Sequence, residues 1–219
     1  MTPLGHIAVK GLGSLGNGAL HPFVTPPHVI GIIALGLLFG QRIPFRLKKP
    51  MAALALGSAA GLLATLSGWP GSVPPALILG CALAIAGWTT LDRTAPVAAL
   101  VAAGALAGSL IGLDSAPEAA DPMGISQSMV GTWLGINAAV GYLALCISYS
   151  KNRPWARIAI RIAASWIIAI TLLVLAFSLR QQVAAGPLRK EPTALRPPHI
   201  TNPVSKSSVR PHRKFIPPR

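Results

Sequence analysis

Uncharged apolar runs, each about as long as a bilayer core is thick, constrain this chain more than any other feature. A hydrocarbon core of about 30 Å takes roughly 20 residues of α-helix. Residues 24–41, 51–91, 94–113, 122–150 and 162–179 contain no Asp, Glu, Lys or Arg. The second run is cut by Trp69-Pro70-Gly71-Ser72-Val73-Pro74-Pro75, a turn signal that divides it into two helices. The pattern predicts an all-α, polytopic membrane bundle of six transmembrane helices. Composition agrees: charged residues are 11% of the 219, against about 25% in a soluble domain.

Local chemistry places the helix starts. Thr25 suits an N-cap before Pro26 and Pro27, because proline fits a first helical turn. Pro50, Pro75, Pro96 and Pro154 hold similar positions, and the fifth helix is expected to start near Ser126. Trp69, Trp88 and Trp155 lie near run ends, as interfacial anchors do. Glycines recur at spacing four: Gly36/Gly40, Gly57/Gly61, Gly104/Gly108/Gly112 and Gly131/Gly135. That spacing lets helices approach closely in lipid.

Charge in the loops sets the sidedness. Arg42, Arg46, Lys48 and Lys49, then Arg93, then Lys151, Arg153 and Arg157, mark cytoplasmic loops. Loop 69–75 is uncharged, and loop 113–125 carries only acids. The N-terminus is therefore expected outside, with residues 1–23 as an outward lead-in and 24–180 as the transmembrane domain. Residues 181–219 form the tail. After six crossings the tail also lies outside, although nine bases run from Arg180 to Arg219. Long terminal segments obey the charge rule less strictly. Residues 186–219 hold eight prolines, eight bases and one acid, Glu191. Such a segment cannot bury a core and is expected to be disordered or extended. It is either a solvated tail or a docking strand for an acidic partner, a membrane protein complex or anionic headgroups.

Several function classes fall away. A formal charge of +14 would suggest nucleic acid in a soluble protein. Here the bases flank apolar runs, and Phe215 is the one aromatic of the basic tail, so no stacking platform exists. Cys81 and Cys146 lie in apolar runs and read as small hydrophobes. Gly11, Gly13 and Gly16 fit G-x-G-x-x-G, but no strand signal precedes them, so no dinucleotide site is expected. Residues 1–20 lack a continuous apolar stretch of the secretory kind. An enzyme would need buried catalytic groups that the apolar runs lack.

The expected topology puts His6, His21, His28, His199 and His212 outside, with Asp114, Glu118 and Asp121. Imidazole suits nickel, copper, zinc and cobalt. The densest cluster is His21-Pro22-Phe23-Val24-Thr25-Pro26-Pro27-His28. Its prolines restrict the backbone between two imidazoles, which either share one mouth or are simply polar interfacial residues. Asn137, in mid-helix, reads as an interhelical hydrogen bond more readily than as a polar way-station.

Residues 18–32, GALHPFVTPPHVIGI, run into an apolar helix ending GLLFGQ at residue 41. The stretch resembles the first-helix motif of the HupE/UreJ family, His-Pro-x-x-Gly-x-Asp-His-x-x-Ala-Met. It matches at His21, Pro22 and His28, and departs at Thr25, Pro27, Gly31 and Ile32. A second motif, Phe-His-Gly-x-Ala-His-Gly-x-Glu, corresponds to residues 110–118. Gly112 and Glu118 are kept, Ile111 and Ser115 replace both histidines, and Asp114 is an added acid. The likeness covers roughly residues 12–180.

The resemblance implies a small permease of a bacterial inner (cytoplasmic) membrane that supplies nickel for metalloenzyme maturation. The implied metal site is His21, His28, Asp114 and Glu118, with nickel or a similar divalent metal as cargo and no cofactor. Passage would follow the gradient, since no ATP-binding loop is present. The departures open an alternative, a non-transporting scaffold or accessory subunit whose tail docks onto a larger membrane complex.

Overall fold

The computed structural model describes residues 11–41, 47–67, 73–91, 96–117, 121–150 and 153–184. The Trp69-Pro70 turn, Glu118 and the tail expected at 186–219 lie outside them. The described residues form seven α-helices and no strand: α1 Gly13–Val24, α2 Pro26–Gly40, α3 Lys48–Leu66, α4 Pro75–Thr90, α5 Val97–Leu113, α6 Pro122–Ser150 and α7 Pro154–Ala184.

Three of these helices, α3, α6 and α7, are long and apolar enough to cross a membrane. The pair α1 and α2 passes the same test together but bends by 79° at Thr25, which makes four spans if the pair is one. Helices α4 and α5 are apolar but shorter, at 16 and 17 residues, or about 24–26 Å at 1.5 Å per residue. The described residues are all-helical, and the apolar helices make the chain an integral membrane protein.

Most of the described part of the expected lead-in forms helix α1. The chain turns into it through Gly11 and Gly13, whose positive φ values of 101° and 65° favour glycine. Pro22 lies inside α1 and has no N–H to give the carbonyl of Gly18. The Thr132 hydroxyl of α6 donates to that carbonyl at 3.0 Å. A neighbouring side chain thus replaces the lost backbone donor, as a proline within lipid requires. Helix α1 is held against α6 through Gly18, Gly131 and Gly135, where a Cβ would strike the facing backbone.

Pro26 and Pro27 then end α1, since neither can donate to its last carbonyls. They also open α2. Thr25 holds the N-cap position with extended φ/ψ, but its hydroxyl caps no α2 amide. It donates instead to the His21 carbonyl at 3.3 Å, satisfying part of α1's C-terminus.

Helix α2 is the centre of the bundle and packs on α1, α4, α5, α6 and α7. Ten of its 15 residues are buried, among them Leu35, Leu38 and Phe39. A helix apolar on every side belongs in such a place. Around it, α3 pairs with α5, and α4 with α7. Helix α6 begins four residues before the expected Ser126, because Asp121 caps it by accepting the Gly124 N–H at 2.7 Å and Pro122 fills the first turn.

Candidate functional site

The break between α1 and α2 brings two imidazoles together. His21 sits in the last turn of α1, not just outside a helix as its sequence position suggested. His28 sits in the first turn of α2. Their ring centroids are 5.7 Å apart, with ring planes inclined by 58°. The 79° bend does this. In one straight helix, residues seven apart stack two turns, or about 10 Å, from each other.

His28 is fully buried. The sequence left open whether the two histidines share a mouth, and the His28 ring lies inside the bundle. The bend turns the start of α2 inward, and the imidazole meets the end of α5 there. Its Nε2 lies 2.9 Å from Asp114 Oδ2. The other carboxylate oxygen, Oδ1, accepts the backbone N–H of Val73, just ahead of α4, at 3.2 Å. One carboxylate therefore ties α2, α4 and α5 together.

Asp114 is the C-cap of α5, where the helix dipole disfavours a negative charge. The His28 ring and the Val73 amide offset that placement. Asp114 keeps 19% of its side chain accessible, whereas His28 has none, so the pair is reached from the carboxylate side. The His28 Nδ1 is buried with no hydrogen-bond partner in the described structure.

Of the four residues expected to hold a metal, His21, His28 and Asp114 come together, and Glu118 falls outside the described residues. Among the described residues, no three His, Cys, Asp or Glu side chains form a metal-holding group. Ser115 turns back to donate to the Ile111 carbonyl at 2.7 Å. Asp121 is engaged as the α6 cap.

A second polar cluster lies between α3 and α6. Asn137 donates to Ser58 Oγ at 3.3 Å and to the Trp133 carbonyl at 2.8 Å. Trp133 donates through Nε1 to the Ala55 carbonyl at 2.9 Å. The Asn137–Ser58 bond is the interhelical link expected of a mid-helix asparagine. Trp133 was not foreseen, because tryptophan inside an apolar run gives no sign of which carbonyl its N–H will reach.

Comparisons with family models, with curated proteins and with solved structures found no match for this chain. The likeness to HupE/UreJ proteins therefore rests on the residues quoted above.

Proposed function

We propose that this chain is a HupE/UreJ-like permease that admits a divalent transition-metal cation, nickel foremost, across a bacterial inner membrane. One observation carries the reading: a fully buried histidine is joined to a carboxylate at 2.9 Å and has a second imidazole 5.7 Å away. Ionisable groups inside a membrane bundle are costly and usually functional. Neutral imidazoles with a nearby carboxylate suit nickel, cobalt and zinc.

In this reading the chain crosses six times, with α1 and α2 forming one bent span and α3 to α7 one each. The His21–His28–Asp114 group would then face outward, away from the bases Lys48, Lys49, Arg153 and Arg157 at the starts of α3 and α7. Glu118 would add charge to the approach. The cation would exchange water for imidazole nitrogen and move down its gradient.

The scaffold reading is favoured by a different observation, the lack of a three-ligand group among the described residues. Metal binding by detergent-purified protein separates the two. A permease should bind nickel or cobalt stoichiometrically, and His21→Ala/His28→Ala should abolish binding while a thermal melt shows the protein still folded. Truncation near Gly186 should leave metal passage into proteoliposomes intact. No binding by the wild type at micromolar metal sinks the permease and leaves the scaffold, which truncation should strip of its partner.

A further inference from the structure

We propose that Asp114 is a positioning residue, not a cation ligand, and that it fixes His28 as the Nε2–H tautomer with Nδ1 bare for the incoming cation. The ligand half of this inference rests on the permease reading above; the tautomer half does not.

Both carboxylate oxygens are already engaged. Oδ2 faces His28 Nε2 at 2.9 Å, and Oδ1 accepts the Val73 N–H at 3.2 Å. An ionised carboxylate only accepts hydrogen bonds, so with neutral His28 the proton of the contact sits on Nε2. A neutral imidazole carries one ring proton, which leaves Nδ1 as a lone-pair nitrogen. In the described structure that nitrogen is buried without a hydrogen-bond donor, and a buried polar atom left unpaired calls for an explanation. Binding a metal through one nitrogen while the other gives its N–H to a carboxylate is the usual way proteins orient a histidine ligand.

His21 completes the geometry. Its ring centroid is 5.7 Å from that of His28, so it would be the second nitrogen donor to a cation that His28 takes through Nδ1. The Val73 amide keeps Asp114 from swinging towards such an ion, because moving the carboxylate would strand that N–H. The clasp thus separates two tasks. The imidazoles would take the cation, and the carboxylate would hold one of them in register and supply compensating charge from behind.

The test is nitrogen-15 NMR of full-length, histidine-labelled protein in nanodiscs, without metal and then with zinc as a diamagnetic probe. His28 is assigned by His28→Gln. The expected metal-free spectrum shows His28 protonated at Nε2 and bare at Nδ1, and zinc should shift the Nδ1 signal. Asp114→Ala should mix the tautomers and weaken zinc binding about 10–100-fold, where His28→Gln removes it. Asp114→Glu, whose carboxylate can only accept from Nε2 and from the Val73 N–H, should restore the wild-type tautomer and most of the affinity, and it serves if Asp114→Ala does not fold.

Protonation at Nδ1 in the metal-free wild type overturns the proposal. So does an Asp114→Glu variant that folds, keeps the tautomer and yet loses zinc as completely as His28→Gln, since Asp114 would then be a ligand. The expected tautomer with no zinc or nickel response in any variant sinks the permease reading and the ligand half. It leaves Asp114 as the clasp that orients His28.

Discussion

Two helix pairs of similar composition are built on different principles. Helices α3 and α5 meet backbone to backbone. A Cβ added at Gly57 would lie 2.5 Å from the Ala105 carbonyl oxygen, and one at Gly112 would lie 2.5 Å from that of Ser58. Helices α4 and α7 meet through side chains. Helix α7 turns Ala156, Ile160, Ala164, Ile167 and Thr171 inward, while Gly80 and Gly87 of α4 have open space where a Cβ would stand. The rest of α7 faces outward, with Trp155, Ile158, Trp166, Leu173 and Phe177 each more than 60% exposed. Lipid tails are as apolar as leucine, so covering such side chains brings little gain there. Close approach, with its dispersion contacts and Cα–H···O bonds, is what joins helices. The glycine pair is therefore expected to be the rigid half of the bundle and α7 the tolerant half.

The largest expected effect breaks the rigid half. Gly57→Ala puts a methyl group against backbone that cannot rotate away, with Ala105 Cα at 3.1 Å as well. It should cost about 2–3 kcal/mol, read as a lower midpoint in a detergent-denaturation titration. Gly87→Ala meets nothing within 4 Å and should leave the midpoint unchanged, or raise it by up to about 1 kcal/mol through helix propensity. Equal losses in both variants would remove the distinction, because the glycines would then matter for some reason other than contact distance.

The glycine pair was legible in advance and the His28 site only in part, for a physical reason. Spacing-four glycines lie on one helix face whatever the fold, so Gly57/Gly61 and Gly104/Gly108/Gly112 announced a close contact before any partner was known. The runs, their breaks at proline and the His21/His28 cluster were equally local. What sequence could not supply was the direction of the chain after the break at Thr25. A 79° bend decides whether His28 faces water or the end of α5, and nothing in residues 21–28 encodes that angle. Helix α1 was hidden for a similar reason. Residues 1–20 read only as lacking a continuous apolar stretch, and the Thr132 hydroxyl that makes Pro22 tolerable comes from a residue 114 positions away from the carbonyl it serves.

A smaller effect of opposite sign sharpens the comparison. Thr171 is fully buried on the inward stripe of α7, and its hydroxyl has no hydrogen-bond partner in the described structure. A buried, unsatisfied hydroxyl costs about 1–3 kcal/mol. Thr171→Val keeps the branched shape and removes the polar atom, so it should stabilise the protein by about 1 kcal/mol in the same titration. A loss would mean that the hydroxyl is engaged, and that the α4–α7 contact is more specific than its side-chain packing suggests.

The smallest effect tests the premise itself. Leu173 is 71% exposed on α7, and Ile167 is 8% exposed on the same helix. In water-soluble proteins, covering apolar surface earns about 25 cal/mol per Å², but surface that faces lipid in both the folded and the separated states gains nothing of the kind. Leu173→Ala should therefore shift the midpoint by less than about 0.5 kcal/mol. Ile167→Ala opens a gap among packed neighbours and should lose dispersion contacts that lipid does not refill, about 2 kcal/mol or more. If Leu173→Ala proves as costly as Ile167→Ala, the outward face of α7 is covered in the membrane by another protein surface. The tolerant half of the bundle would then be an interface, as a scaffold subunit requires and a lone permease does not.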